Sequence, residues 1–235
     1  MSSRAVVFDL FGTLVDNHSF IGSPSAEWRE MLRQMATAVG ADPDAFDAGW
    51  AKDAPQRTAG AFDTVEACVA SVCTALSLEP DQSCISQAAT MRVEFMRRGL
   101  SPRPDAVATL QALRDAGLRI GLVSNCIPDI PLLWEATPFA ALIDVAIFSA
   151  AVRLAKPDPR IFQLACDRLG VAPHDALFVA DGEGGELAGA ASIGMQAVLI
   201  RCSYADPLGH RRPHVEPWGG PAVDWLREVP ALSFD

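Results

Sequence analysis

Residues 5–16 read AVVFDLFGTLVD, an apolar run that stops at Asp9 and is followed three positions later by Gly12. A short, uninterrupted apolar run is typical of a parallel strand that is covered on both faces of its sheet. Gly12 lacks a Cβ and therefore permits a tight turn directly after the run. The stretch thus predicts a buried strand over Ala5–Phe8 that presents the Asp9 carboxylate at its carboxyl end.

Four further apolar runs of similar length follow along the chain. They cover residues 120–123, 145–148, 177–180 and 197–200. Between the runs lie segments with helical character, at 104–116, 159–169 and 186–193, and each is followed by a glycine. Strands and helices that alternate in this way predict an α/β protein with a doubly wound parallel sheet.

A long segment between the first two strands breaks this alternation. Residues 16–103 contain no strand-like run, and their apolar residues recur at helical spacing: Trp28, Met31, Leu32 and Met35, then Val65, Cys68, Val69 and Val72. We therefore expect an all-helical domain over 16–99, inserted into a core formed by 1–15 and 100–235. An insertion at this point lies over the carboxyl edge of the sheet as a lid, with helices that extend the core as the alternative.

The composition limits the classes of partner. The chain has 235 residues, a formal net charge of -10 and a pI near 4.8, so we expect no binding to nucleic acid, whose phosphates attract basic surfaces. No run approaches the ~18 to 20 apolar residues of a membrane span, and no signal-peptide pattern precedes the first strand. The sequence predicts a cytoplasmic protein with a small-molecule substrate, as a monomer or a homodimer.

Polar side chains follow four of the predicted strands. Asp9 follows the first, Ser124 and Asn125 the second, Lys156 lies beyond the third, and Asp181 follows the fourth. The carboxyl ends of parallel strands share one edge of a sheet, where such folds bind their ligands. We therefore expect two carboxylates, a hydroxyl, an amide and an ammonium to meet in one crevice.

The same positions carry four motifs. They are FDLFGTLVD at 8–16, LVSN at 122–125, KPDPRIF at 156–162 and ADGEGGELAGA at 180–190. In this order they resemble the four motifs of the haloacid dehalogenase superfamily of hydrolases. The resemblance implies a Rossmann-like core with a mobile helical cap between the first and second motifs.

The resemblance also implies a role for each residue. Asp9 would be the nucleophile that forms a covalent intermediate, which water then hydrolyses. Lys156 and the Ser124 hydroxyl would stabilise the oxygens that gain charge, while Thr13 orders the loop. The expected catalytic residues are thus Asp9, Thr13, Ser124 and Lys156, and the expected substrate-binding residues are Ser124, Asn125 and Lys156.

A magnesium site is implied beside the nucleophile. Mg²⁺ prefers oxygen ligands, and the resemblance implies Asp9, Asp181 and the backbone carbonyl of Phe11. Glu186 has two interpretations. It is either an outer acid that holds a water or Lys156, or an ordinary acidic residue in the first turn of a helix.

Phe11 departs from the pattern of the phosphatases in this superfamily. They place a second aspartate two residues after the nucleophile, where it protonates the leaving oxygen and later deprotonates the attacking water. A phenyl ring does neither. The substrate therefore has a good leaving group, or the cap supplies an acid, or the bond that breaks needs no proton.

The last case describes the dehalogenases of the superfamily, which resemble this chain in an aromatic residue at position 11 and in Asn125. Their reaction works without metal. Retention of Asp181 beside Asp9 favours a divalent ion, because two adjacent carboxylates repel each other without one. We therefore expect a Mg²⁺-dependent phosphatase acting on a small phosphorylated metabolite, with a 2-haloacid dehalogenase and a non-catalytic phosphate- and metal-binding protein as alternatives.

Overall fold

A computed structural model describes residues 4–15, 25–201 and 217–232. Asp16, which ends the first motif, lies outside this part of the chain, as do residues 17–24 of the predicted insertion.

Six parallel strands form one sheet in the order β3-β2-β1-β4-β5-β6. Their bounds are Ala5–Phe8 for β1, Arg119–Ser124 for β2, Val145–Phe148 for β3, Ala176–Ala180 for β4, Gln196–Ile200 for β5 and Ala222–Val223 for β6. The predicted α/β class with a parallel sheet is confirmed. The sequence predicted only five of these strands, because β6 has two residues and no apolar run marks it.

Helices connect the strands. In chain order they are α1 Ala26–Ala38, α2 Pro43–Lys52, α3 Ala54–Thr58, α4 Val65–Ala75, α5 Gln82–Gly99, α6 Ala106–Asp115, α7 Asp129–Leu133, α8 Ser149–Val152, α9 Pro159–Leu169 and α10 Glu186–Ser192. Short 3-10 helices cover Trp134–Ala136, Pro173–Asp175 and Leu226–Ala231. None of the helices in the described ranges has the length and apolarity that crossing a bilayer requires.

The two faces of the sheet are covered by different helices. Val6 and Phe8 of β1 point to a core that includes Leu110 of α6 and the apolar faces of the helices between β1 and β2. Val7 points to the opposite core, which contains Phe162 of α9 and Ala190 of α10. Successive residues of a strand face opposite sides, so this burial explains why β1 reads as an unbroken apolar run.

Helices fill the described part of the predicted insertion. The helical spacing in the sequence is confirmed, since the faces that α1 and α4 bury contain Met31, Leu32 and Met35 and then Val65, Cys68, Val69 and Val72. An ion pair between Arg92 of α5 and Asp129 of α7 joins these helices to the segment that follows β2. The division into a core and a cap stays a prediction.

The order in which strands are added to the sheet changes direction at β1. Strands β2 and β3 are added on one side of β1, and β4, β5 and β6 on the other. Phe8 is level with Leu122 of β2 and Val179 of β4, and the Asp9 amide donates to the Val179 carbonyl oxygen at 3.0 Å. Asp9 therefore lies at the topological switch point, where open α/β sheets bind ligands.

The helix α10 packs closely at Gly189 against the loop that carries Lys156. A Cβ at Gly189 would lie 2.5 Å from the Pro157 carbonyl oxygen and 3.0 Å from Cε2 of Phe162. We expect Gly189→Ala to lower the free energy of unfolding by ~1–3 kcal/mol in urea denaturation, because overpacking displaces backbone. Ala188→Ser, on the exposed face of the same helix, should change it by less than about 0.5 kcal/mol. Equal stability of the two variants would contradict the close packing.

Candidate active site

The ammonium of Lys156 lies between two carboxylates. Its Nζ donates to Oδ1 of Asp9 and to Oε2 of Glu186, and the side chain is almost completely buried. Burial alone would lower the pKa of Lys156, but the charges of Asp9 and Glu186 outweigh it and raise that pKa above its usual value. The ammonium is therefore charged throughout the physiological pH range.

Asp181 adds a third carboxylate beside Asp9 and Glu186. Asp9, Asp181 and Glu186 each offer an oxygen within 4.8 Å of the others, and all three side chains are buried. Burial raises the pKa of Asp9, and the Asp181 charge raises it further against the opposing effect of Lys156. Burial likewise raises the pKa of Glu186 well above its usual value. Both shifts disfavour ionisation of the acids at this density of negative charge. Ionisation of all three would leave two negative charges that Lys156 does not compensate and that a divalent cation would offset.

This donor set fits a magnesium ion. Mg²⁺ is a hard divalent cation that takes carboxylate oxygens and keeps several waters. Its charge equals the excess that the three acids would carry over Lys156 when all of them are ionised. Asp9 and Asp181 are the acids that the sequence predicted as ligands, and the structure brings both into this cluster. Their role as ligands stays a prediction.

Glu186 combines the two interpretations that the sequence left open. It is the first residue of α10, and its Oε2 accepts from Lys156. Its Oε1 accepts from the Gly182 amide at 3.1 Å, across the turn that follows Asp181. The Asp181 carboxylate accepts from the Glu183 amide at 3.1 Å within the same turn. Glu186 thus connects the turn after β4 to Lys156.

Asn125 holds the backbone of Lys156 on both sides. Its Oδ1 accepts from the Lys156 amide at 2.8 Å, and its Nδ2 donates to the Lys156 carbonyl oxygen at 3.0 Å. No feature of the sequence indicates this contact, because a bond to backbone requires no particular residue type at position 156. The structure therefore shows a positioning contact for Asn125, and its predicted contact with substrate stays a prediction.

Two buried hydroxyls border the site. Thr13 and Ser124 are completely buried, and neither hydroxyl oxygen has a hydrogen-bond partner within the described residues. Gly12 turns the chain ahead of Thr13 with φ of 79°, in the region that favours glycine. A buried hydroxyl without a partner is costly. The roles that the sequence predicted for Thr13 and Ser124 stay predictions.

Phe11 lies in the same turn. Its half-buried ring packs against the larger hydrophobic core, on the face that the helices between β1 and β2 cover. The ring has no proton to donate, as the sequence indicated. The carbonyl of Phe11 as a metal ligand stays a prediction.

A second group of buried charges was not predicted from the sequence. It is formed by Arg57, Arg92 and Asp129. For Arg92 a signal was present. It follows Ala88 and Ala89 by three to four residues on the buried face of α5, where an apolar residue is expected. Arg57 and Asp129 lie in five-residue helices that are too short to show a period.

Comparison with known proteins places this geometry in a family. A sequence profile of haloacid dehalogenase-like hydrolases matches residues 3–194. The chain is 29% identical over 209 residues to (S)-2-haloacid dehalogenase 4A of Burkholderia cepacia, which covers 85% of this chain and 83% of that protein. It is 35% identical over 107 residues to the phosphoserine phosphatase of Thermus thermophilus, which covers 44% of this chain and 42% of that enzyme.

Solved structures agree with the fold. The crystal structure of a HAD phosphatase from Thermococcus onnurineus superimposes with a TM-score of 0.66 at 24% identity, over 97% of this chain and 96% of that one. Similarity at this level of identity shows a shared fold. The sequence relatives include both dehalogenases and phosphatases.

The two hydrogen bonds of Asn125 predict how accessible Lys156 is. Together they are worth about 2 kcal/mol, so Asn125→Ala should raise the population in which the Lys156 loop opens by about 30-fold. Acetylation of the native protein, followed by peptide mass spectrometry, measures this at Lys156, with the exposed Lys52 as the internal control. Asn125→Asp keeps the acceptor for the Lys156 amide and should have a smaller effect. Equal acetylation of Lys156 in all three proteins would mean that Asn125 does not hold the loop.

Proposed function

The chain belongs to the haloacid dehalogenase-like hydrolases and is a hydrolase, and from that premise we propose that it is a Mg²⁺-dependent phosphatase of a small phosphorylated metabolite. The reaction passes through an aspartyl-phosphate on Asp9. The observation that carries this proposal is the buried group of Asp9, Asp181 and Glu186 with Lys156 as the one cation among them. Release of halide from carbon requires no metal ion, so a group of buried acids that suits a divalent cation favours phosphoryl transfer.

The residues of this site divide the first step among them. One carboxylate oxygen of Asp9 attacks phosphorus, the bond from phosphorus to the leaving oxygen breaks, and the phosphoryl group is transferred to Asp9. Mg²⁺ bound by Asp9 and Asp181 would offset the negative charge of the phosphoryl oxygens. The Lys156 ammonium pairs with Oδ1 of the nucleophile. The buried hydroxyls of Thr13 and Ser124 would donate to the phosphoryl oxygens.

Glu186 keeps the ammonium in place during this step. When Asp9 becomes phosphorylated, its carboxylate loses charge, and Lys156 then depends on Glu186 and on the transferred oxygens for compensation. In the second step water attacks phosphorus, inorganic phosphate leaves, and Asp9 recovers its carboxylate. The cycle therefore consumes one water for each ester hydrolysed.

Phe11 restricts the substrates that this site can use. The leaving oxygen departs without a proton from position 11, so we propose an acyl, enol or aryl phosphate, whose leaving group is stable as an anion. A general acid typically contributes ~10²- to 10⁴-fold to the rate. Simple alkyl phosphates are therefore expected to be poor substrates.

A second candidate function has its own support. The dehalogenase of Burkholderia cepacia matches the chain over most of its length, and Phe11 is compatible with a halide that leaves as an anion. In that reaction Asp9 attacks carbon, the carbon–halogen bond breaks, and water hydrolyses the resulting ester. Asp181 would then be a structural residue.

The cellular context belongs to the same proposal. We propose a cytoplasmic enzyme, a monomer or homodimer, in which residues 16–99 form the cap over a core of 1–15 and 100–235. In this arrangement the helices α1 to α5 select the substrate and the strand ends perform the chemistry.

Product release from a mixed panel tests the proposed function. Aryl and acyl phosphates and 2-chloropropionate are incubated with Mg²⁺ or with a chelator. We expect phosphate release that requires Mg²⁺ and that falls on the order of 10³-fold or more in Asp9→Asn, because the nucleophile is lost. Glu183→Gln is the matched control, since that side chain is exposed beside Asp181. It should retain full activity.

Each other result of this panel contradicts the phosphatase. Chloride release that resists the chelator assigns the dehalogenase reaction. Release of neither product, together with binding of phosphate or Mg²⁺, indicates a non-catalytic protein. Full turnover by Asp9→Asn would show that Asp9 is not the nucleophile.

Phe11→Asp tests the missing acid directly. The wild-type enzyme should hydrolyse p-nitrophenyl phosphate on the order of 10²-fold faster than glycerol phosphate, because p-nitrophenolate leaves without a proton. Phe11→Asp should narrow this ratio, and Phe11→Leu, which removes the ring without adding an acid, should leave it unchanged. The ratio is measured from kcat/KM for the two esters. Equal ratios in wild type and Phe11→Asp would mean that another group supplies the proton.

A further inference from the structure

Two arginines outside the candidate active site are buried where the helices of residues 26–99 approach the carboxyl edge of the sheet. Arg57 in α3 is 3% exposed, and Arg92 in α5 is 6% exposed. A buried guanidinium is stable when partners satisfy its donors and its charge. The donors of these two groups are only partly satisfied.

Arg57 donates through Nη2 to the carbonyl oxygen of Trp50, while its Nε and Nη1 have no partner among the described residues. Arg92 donates through Nε to Asp129 at 2.8 Å, and its Nη1 likewise has none within that part of the chain. The guanidinium carbons lie over tryptophan rings, 4.0 Å from the Trp50 centroid and 5.0 Å from the Trp28 centroid. Each guanidinium is therefore held against an aromatic ring as well as by its hydrogen bond.

The fully buried charges of this group leave an excess of one positive charge. Asp129 is completely buried and balances one guanidinium. Burial lowers the pKa of Arg57 to about 10, so Arg57 is protonated at neutral pH. Burial raises the pKa of the neighbouring Cys68 thiol to about 12, which keeps it neutral. Asp53 is half-buried, its carboxylate accepts from a serine hydroxyl at 2.8 Å, and its negative charge also acts on Arg57.

The arginine pair lies on the side of the site where β2 and β3 end. Asp129 begins α7 shortly after β2, and the chain after α3 packs on α8, where a Cβ at Gly60 would lie 2.7 Å from the Ala150 carbonyl oxygen. Cys126 lies close enough to both Asp129 and Lys156 for each charge to act on its pKa. Asn125 also bonds to the backbone of Lys156, and Asp129, four residues further along the same segment, pairs with Arg92. One short segment thus joins the Lys156 loop to the arginine pair.

We propose that Arg57 and Arg92 form a subsite for a carboxylate at the non-reacting end of the substrate. This rests on the proposed function, because it assumes that the other end reacts at Asp9. The planar fork of a guanidinium matches the two oxygens of a carboxylate. A carboxylate also adds only one negative charge to a group that already contains Asp129 and the half-buried Asp53, whereas a phosphate dianion would add two.

Binding of pentanoate to the full-length protein tests the subsite, with neutral pentanamide as the isosteric control and titration calorimetry as the readout. We expect pentanoate to bind more tightly than pentanamide. Arg57→Met should weaken pentanoate binding by about 10- to 100-fold, because charged hydrogen bonds are lost. Arg57→Lys, which keeps the charge without the fork, should have an intermediate effect. Arg153→Met, at an exposed arginine near Gly60, should bind as the wild type does.

Catalysis provides a second readout. For an aryl phosphate that carries a carboxylate away from the phosphate, kcat/KM should exceed that of its carboxamide analogue by about tenfold or more. In Arg57→Lys this ratio should fall toward one through a rise in KM for the carboxylate substrate. The lysine variant retains a buried cation, so it serves if Arg57→Met does not fold.

Two results would overturn the subsite. One is equal binding of pentanoate and pentanamide by the wild type; the other is pentanoate binding that Arg57→Lys and Arg57→Met leave unchanged. Either of these binding results would mean that the arginines have a structural role. The proposed function would still hold if turnover depends on Asp9. A third result separates the two proposals. If Asp9→Asn keeps its turnover and the protein still binds pentanoate more tightly than pentanamide, the proposed function is wrong and the carboxylate site holds.

Discussion

An ammonium buried as deeply as that of Lys156 requires carboxylates around it, and this requirement determines the arrangement of the site. Asp9 follows β1, and Glu186 begins the helix after β4, so both segments must end at the same edge of the sheet. Asn125, which follows β2, fixes the backbone of the loop that carries the ammonium. Segments after three different strands therefore meet around one positive charge, and the parallel sheet supplies the edge at which they can do so.

Much of the fold could be predicted because a strand that is buried on both faces has no place for a polar residue. The runs that begin at Ala5 and Val145 have the bounds that the structure shows, and the other three differ by at most one residue at either end. Their ends also placed Asp9 and Asp181, since a parallel sheet brings all of its carboxyl ends to one edge. The strand at Ala222 could not be predicted in this way, because two residues establish no pattern and its position depends on pairing with β5.

The rest of the site depends on contacts that leave no mark on the sequence. The side chain of Asn125 binds backbone atoms, so nothing at position 156 identifies it as the partner. The contact between Glu186 and Lys156 joins residues thirty positions apart, and its geometry follows from the turn after β4. Arg92 is different. It interrupts an apolar helical face, and a buried cation on such a face indicates a partner that the helix itself does not contain.

The two proposed sites have opposite charge, and this difference implies an orientation for the substrate. Three acids face one ammonium around Asp9, which favours a further cation there, while two guanidiniums face one fully buried carboxylate at Arg57 and Arg92, which favours an anion. A substrate carboxylate near the acids would be repelled, and a divalent cation near the arginines would be repelled as well. A phosphate ester with a distant carboxylate therefore has one favourable orientation, with its phosphoryl group at Asp9. Because the arginines lie in helices before β2 and most of the reacting groups follow strand ends, substrate selection can change without altering the groups that perform the hydrolysis.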